Sequence, residues 1–192
     1  MKSVLVINGH PDPGSYNYAL SNAYLAGVEK AGLDVSQINI AELNFSPSLT
    51  YGYRKESPLE PDLENALNLI KKAEHIVWFF PMWWYGYPAI MKGFIDRVFL
   101  PGHAFAYQKG NPFPKKLFKG KSARMVITAD TPAWYNRLFM GSPAIKQLKR
   151  GTLQFTGINP VRVTYISPIR GSSEEFRKKW LEKVELLGEK GK

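Results

Sequence analysis

Ser3-Val4-Leu5-Val6-Ile7-Asn8, continuing through Gly9-His10-Pro11-Asp12-Pro13-Gly14 into Ser15-Tyr16-Asn17, is the stretch from which the architecture is read. The first six residues form an unbroken apolar run rich in β-branched side chains, the pattern of a strand buried on both faces and so of a sheet centre. Beyond the loop, Leu20, Ala23, Tyr24, Gly27 and Val28 recur at helical spacing until Gly32 stops the helix. The same rhythm repeats downstream. Val35 to Ile40 reads as a second strand, Leu63, Ala66, Leu67 and Ile70 as a helix that Pro61 helps start, and His75 to Phe80 as a third strand. Pro88 suits a first helical position before Ile90, Met91, Phe94, Ile95 and Val98. Ala123 to Thr128 is a fourth strand, Ser142-Pro143 an N-cap and first turn, and Gly157 that helix's end. Val161 to Ile166 is the fifth strand, and Ser172 with Glu175 has capping-box spacing before the stripe Phe176, Trp180, Val184, Leu187.

Five strand-helix pairs predict an α/β fold: a doubly wound five-stranded parallel sheet with helices on both faces, because parallel neighbours need crossover helices of one hand. The flavodoxin-like order 2-1-3-4-5 suits five strands. No repeat, low-complexity tract or linker divides the 192 residues, so a single domain is expected. Segments 44–60 and 101–122 stand outside the rhythm, and loops of that length usually carry function.

Composition narrows the chemistry. There is no cysteine, which removes disulfides, thiol nucleophiles and thiolate metal sites, and three histidines scattered at 10, 75 and 103 do not make a metal site. Redox chemistry would have to come from a bound cofactor. No apolar run approaches the ~20 residues of a membrane span. Met1-Lys2 leads directly into an apolar strand with no cleavable signal pattern, so a cytoplasmic protein without membrane insertion is expected. The formal net charge of +10 invites a nucleic-acid reading. The lysines, however, gather at 109–121 and near the C-terminus, where glutamates interleave with them as on a solvated helix face, so no nucleic-acid partner is expected.

In such a sheet a ligand lies outside the carboxyl ends of the strands, at the switch in strand order between the first and third. Three loops meet there. The first, 9–17, enters a helix whose free N–H groups and positive dipole end suit a phosphate, with His10, Ser15 and Asn17 as added donors. Plain helix capping by Ser15 and Asn17 fits equally well. The loop is neither Gly-x-Gly-x-x-Gly nor a Walker loop, which disfavours a Rossmann dinucleotide or ATP. The second, Pro81-Met82-Trp83-Trp84-Tyr85-Gly86-Tyr87, puts rings at the sheet mouth; such rings are commonly core or interface residues, yet here they suit a flat tricyclic isoalloxazine. The third, Thr128 to Gly141, carries hydroxyls, Asp130, Tyr135 and Arg137; its bland reading is a turn around Pro132 with Asp130 and Arg137 as a surface pair.

Together the loops resemble those of the flavodoxin-like NAD(P)H:quinone oxidoreductases, the DT-diaphorase and bacterial quinone reductase family that also includes ancillary subunits of potassium efflux systems. The match is carried by Gly9-His10 with Ser15-Tyr16-Asn17-Tyr18-Ala19-Leu20, and by the run from Phe80 to Phe99. The resemblance implies that His10, Ser15, Tyr16 and Asn17 hold a flavin phosphate. It places Pro81, Met82, Trp84 and Tyr85, with Trp83 among them, on the isoalloxazine and ribityl chain, and Thr128, Ala129 and Asp130 at the flavin edge. Tyr135 matches the active-site tyrosine. It also implies a homodimer in which Phe105 and Tyr107 line the partner's substrate pocket. Asp130 and Thr131 stand where many members have paired glycines, and no histidine follows His103 to complete a tyrosine-histidine pair.

The expected function is hydride transfer from NAD(P)H, by way of N5 of a non-covalent flavin, to a quinone or similar acceptor in the same pocket. The flavin is FAD or FMN, with the first-loop match tilting toward FAD. Two alternatives are a flavodoxin-type electron carrier, against which the basic charge speaks, and a flavin-binding regulatory subunit of a potassium efflux transporter.

Overall fold

The computed structural model describes residues 3–55 and 57–192. Strand β1 (Ser3–Asn8) lies between β2 (Asp34–Asn39) and β3 (His75–Pro81), and β6 (Ser122–Thr128) and β7 (Val161–Ile166) extend the sheet beyond β3, every pairing parallel. The order β2-β1-β3-β6-β7 is the expected 2-1-3-4-5. Helices α1 (Tyr16–Lys30) and α6 (Glu174–Glu189) cover one face; α2 (Pro61–Lys72), α3 (Ala89–Val98) and a winding from Pro143 to Phe155 pack on the other.

The alternation of β3 divides its side chains between the two layers. Ile76, Trp78 and Phe80 enter the core beneath α2 and α3, whereas Val77 and Phe79 join that beneath α1 and α6. All five are fully buried, each worth about 2 kcal/mol of apolar burial. Helices α1 and α6 approach closely because each presents a glycine: a Cβ on Gly27 would strike the Glu185 carbonyl, and one on Gly188 the Tyr24 carbonyl. Backbone contact at this crossing fixes where the α1 N-terminus emerges above the sheet.

Several boundaries differ from expectation. Pro88 is the N-cap of α3 rather than its first residue. Ser173, not Ser172, caps α6, its Oγ accepting from the Phe176 N–H at 3.2 Å, because Ser172 Oγ is occupied with the Ile169 carbonyl and the Arg177 guanidinium. Ile40 leaves the second strand for a 3-10 turn (Ile40–Glu42). Ser142 precedes a helical segment as expected, but with a left-handed backbone (φ 54°) and its hydroxyl turned to the Asn136 carbonyl. That segment opens as α5 (Pro143–Lys146), relaxes to π winding over Gln147–Gln154 and stops at Gly157. Segment 101–122 holds an antiparallel hairpin, β4 (Phe105–Gln108) with β5 (Asn111–Lys116), and Ala133–Leu138 forms the short helix α4. Among the described residues no helix is long and apolar enough to cross a membrane.

Candidate functional site

The first loop is stitched so that its donors point outward. Ser15 caps α1, its Oγ accepting from the Tyr18 N–H, and the first turn contains no acid. The positive helix end is therefore uncompensated, and the Tyr16 and Asn17 amides, which have no intrahelical acceptor, face out of it. The His10 N–H donates to Asn8 Oδ1 (3.0 Å), and His10 Nδ1 accepts from the Asp12 N–H (2.9 Å). With Nδ1 engaged as an acceptor, the neutral ring carries its proton on Nε2. Burial lowers the His10 pKa, against a smaller raising effect of Asp12, so the ring donates a hydrogen bond without needing a charge.

The three loops are joined by short bonds. The Gly9 N–H reaches the Phe79 carbonyl (2.8 Å), the Met82 N–H the Thr128 carbonyl (2.7 Å), and Asn17 Nδ2 donates to Thr128 Oγ1 (2.8 Å) in a buried cross-link. Asn17 Oδ1 has no hydrogen-bond partner although the residue is 3% exposed, an orphan acceptor of a kind that ordinarily costs about 1–3 kcal/mol. A cleft of about 220 Å³ opens above this cross-link. His10, Ser15, Tyr16 and Asn17 form one wall; Pro81, Met82 and Trp83 form another; Thr128, Ala129 and Asp130 form the third. Ile169 closes it. The Trp83 indole stands edge-on to the His10 ring at 5.5 Å.

Trp84 and Tyr85 do not line this cleft. They are the central residues of a tight turn closed by reciprocal Trp83–Gly86 backbone bonds of 2.9 and 2.8 Å, and both have positive φ, 48° and 59°. That is the geometry Asn-Gly normally supplies, and two bulky side chains in it store about 1 kcal/mol each. The Trp84 side chain is wholly exposed. The turn thus holds a strained backbone and a bare indole next to Trp83, which does line the cleft.

The third loop is braced from β7. Asp130 is not paired with Arg137: its Oδ1 accepts the Arg170 N–H at 2.7 Å and its Oδ2 lies 3.6 Å from the Arg170 guanidinium. The Tyr165 hydroxyl donates to the Thr131 carbonyl (2.9 Å), and burial, aided by nearby Tyr85, pushes its pKa up to about 12. Burial likewise pushes Tyr16 up to about 12 against the opposing Arg177, whose carbonyl accepts the Tyr16 hydroxyl at 2.7 Å. Both phenols stay protonated. Tyr135 sits on α4 outside the cleft lining, half-exposed and stacked on Phe139 at 5.1 Å.

Phe105 and Tyr107 occupy a separate groove of about 430 Å³ between α3 and the π winding. Phe105 is buried, with Tyr107 at 5.5 Å and Phe155 at 5.1 Å edge-on to it; Tyr107 is exposed. A larger depression, about 800 Å³, lies between the 44–60 loop and α2 and shares Tyr107. Sequence reasoning misses Ile169, because the loop after the fifth strand is not among the three although it too leaves a strand's carboxyl end, and Tyr165, which reads only as a residue of that strand. It misses Phe155 because an isolated Phe before a helix-ending glycine reads as core.

The chain matches the family described as Flavodoxin-like fold over residues 2–186 and belongs to it. The human ribosyldihydronicotinamide dehydrogenase [quinone] is 27% identical, across 92% of this chain and 86% of that protein. The crystal structure of Smu.1420 from Streptococcus mutans UA159 superposes with TM-score 0.84 at 29% identity, covering 98% and 99% of the two chains. An FMN-dependent NADH-azoreductase from Bacillus anthracis, solved in complex with FMN, shares the fold (TM-score 0.75, 16% identity, 99% of each chain). The resemblance to flavodoxin-like quinone oxidoreductases read from the sequence is thus borne out at the level of family and fold.

Proposed function

We propose that this protein is a flavin-dependent NAD(P)H:quinone oxidoreductase, built as one flavin-binding domain and working in the cytoplasm. The observation that carries the reading is the meeting at one cleft of an acid-free helix N-terminus and a buried orphan acceptor, with Trp83 of the lining leading directly into a strained aromatic turn. These residues fit a flavin. The Tyr16 and Asn17 amides, Ser15 and the Nε2 proton of His10 suit a phosphate, Asn17 Oδ1 suits a ribityl hydroxyl, and Met82 with Trp83 offers an apolar wall, with Trp84 and Tyr85 free to close over the ring. When bound, the flavin supplies two-electron hydride chemistry between a nicotinamide and a quinone. The chain orients it, excludes water with the aromatic turn, and offers the Asp130 N–H and the Tyr135 phenol to developing negative charge, the Ala129 N–H being held by the Ile166 carbonyl.

The flavin is FAD or FMN. The first-loop match favours FAD, while the FMN in the complex of a fold neighbour supports the shorter molecule. The exposed rings of Tyr107 and Phe155, beside buried Phe105, support a homodimer in which these three residues complete the acceptor pocket of the other copy. Heat release of the chromophore from freshly purified protein, identified by mass, tests the cofactor; steady-state oxidation of NADH and NADPH with a water-soluble quinone tests the reaction. Colourless protein that stays colourless when offered FMN and FAD overturns the proposal.

A further inference from the structure

Of the side chains lining the cleft, Asp130 alone carries a formal charge at neutral pH. The His10 ring is neutral, because burial holds its pKa below the ordinary value, and the Tyr16 phenol stays protonated. The end of α1 contributes only the partial positive charge of its free amides. Arg177 stands over the Tyr16 ring at 5.8 Å, but its guanidinium is turned to Ser172 Oγ (2.9 Å) and the Ile169 carbonyl (3.3 Å). One full negative charge therefore belongs to the wall of a space of about 220 Å³, and an occupant that fills the space expels the water screening that charge.

The partners of Asp130 answer its charge only in part. Oδ1 accepts the Arg170 backbone N–H at 2.7 Å, which is a neutral donor. The Arg170 guanidinium lies 3.6 Å from Oδ2, but that side chain is 89% exposed against 54% for Asp130, so water and salt screen the cation more than the carboxylate. Together the two contacts hold the carboxylate against the segment after β7, as a fixed charge rather than one free to swing into solvent. A ligand group that gains negative charge in the cleft is opposed by it, and the same group in its neutral state is not. A flavin that accepts a hydride takes up two electrons and one proton, and so gains one net negative charge.

We propose that Asp130 sets the reducing power of the bound cofactor: its carboxylate weakens the hold of the cleft on the reduced, anionic ring relative to the oxidised one, and Arg170 offsets part of that effect. A cofactor whose reduced form is held less tightly is the stronger reductant. Acceptors that are harder to reduce, such as quinones carrying electron-donating alkyl or alkoxy groups, come within its range. This role rests on the flavin reading above and adds to it a residue that decides which acceptors can be reduced.

Reductive titration of the purified holoprotein beside a reference redox dye reads the two-electron midpoint potential with neither a nicotinamide nor a quinone present. Asp130→Asn removes the charge and keeps a side-chain acceptor for the Arg170 N–H. It should raise the potential by tightening reduced over oxidised flavin about tenfold, which is about 30 mV for a two-electron couple. Arg170→Ala removes the guanidinium and leaves the backbone N–H on Asp130; it should lower the potential, by about threefold in the same ratio. The opposite signs separate charge from structure, because both variants loosen the same link and a merely structural role moves both potentials the same way. Should Asp130→Asn lose its flavin, Arg170→Glu carries the test: its potential should fall below that of Arg170→Ala, and no further fall overturns the proposal. A potential unchanged in Asp130→Asn, or shifts of one sign in Asp130→Asn and Arg170→Ala, overturns the tuning role while the flavin reading stands. Wild-type protein that takes up no flavin overturns both.

Discussion

Trp84 is where stability and use conflict. Its left-handed backbone and that of Tyr85 are each unfavourable by about 1 kcal/mol for a residue with a Cβ, and nothing within the protein covers the indole. Trp84→Gly should therefore raise the melting temperature of the flavin-free protein by about 2–4 °C, the shift expected for roughly 1 kcal/mol in a chain of this size. The same change should weaken flavin retention about tenfold, read as the dissociation constant from flavin fluorescence, because the stacking face is gone. Trp84→Ala, which keeps the strain and loses the ring, should lose retention without gaining stability. A Trp84→Gly variant that holds flavin as tightly as wild type would remove the turn from the site. Tyr135 differs in kind: Tyr135→Phe keeps the ring stacked on Phe139 and deletes only the hydroxyl. It should lower kcat about tenfold or more with little change in flavin affinity. Equal kcat in the variant would leave the charge-stabilising part of the chemistry to the Asp130 N–H.

At the scale of elements, what was legible in the sequence is what local pattern encodes. The parallel strands announced themselves because burial on both faces leaves continuous apolar runs, and the strand order followed from counting them. The three loops around the cleft were legible because each leaves a strand's carboxyl end, and ten of the twelve residues expected at the cofactor share the cleft lining. The turn holding Trp84 and Tyr85 outside it was not legible, since no sequence rule predicts two bulky residues at positive φ. Nor was the Asp130–Arg170 pair, which depends on where β7 ends beside β6. Segment 44–60 shows the same limit: it looks structureless in sequence, yet Arg97, 4% exposed on α3, pins it. The guanidinium donates to the Ser46 carbonyl (2.6 Å), the Pro58 carbonyl (2.8 Å) and both oxygens of Glu60 (3.1 and 2.8 Å), and Gly93 lets Pro47 lie directly on the helix. Arg97→Ala should cost about 2–3 kcal/mol, below the range for a fully buried pair because Glu60 is partly exposed, and limited proteolysis should then cut within the loop. Glu60 also gives the loop a pH dependence. Desolvation raises its pKa, but the Ser46 N–H and Arg97 outweigh it and the net shift is downward from 4.5. A depressed folded-state pKa means the stabilisation is fully present above about 4.5 and is lost as pH falls through the lower folded value. Protease sensitivity of the loop should accordingly rise only on acidification below that range, and a loop that opens first on the alkaline side would contradict the sign.

For the molecule as a whole the distribution of charge matters more than its sum. The count of +10 reads at first as a diffuse basic surface, but it resolves into one nearly neutral part and one basic part, residues 97–173, that contributes the carboxyl end of β6, the hairpin and α4. The cleft itself adds the positive end of α1, with no acid in its first turn. Such a field draws in anions over distances longer than contact, and the nicotinamide dinucleotides are anions, NADPH with the larger charge. The field acts on encounter rather than on the chemical step. Raising ionic strength from about 0.01 M to 0.15 M shortens the screening length from about 30 Å to about 8 Å. Over that range kcat/KM for NADPH should fall roughly tenfold and that for NADH less steeply, while kcat stays nearly constant. A neutral quinone should show no such slope in its own kcat/KM. The assay also separates steering from a specific contact: if one residue such as Arg170 held the extra phosphate of NADPH, its replacement by Ala would abolish the preference and leave the NADH slope untouched. If the slope comes from the basic half at large, replacing Lys115 and Lys116 by Gln on the exposed hairpin should flatten both slopes together while the preference persists.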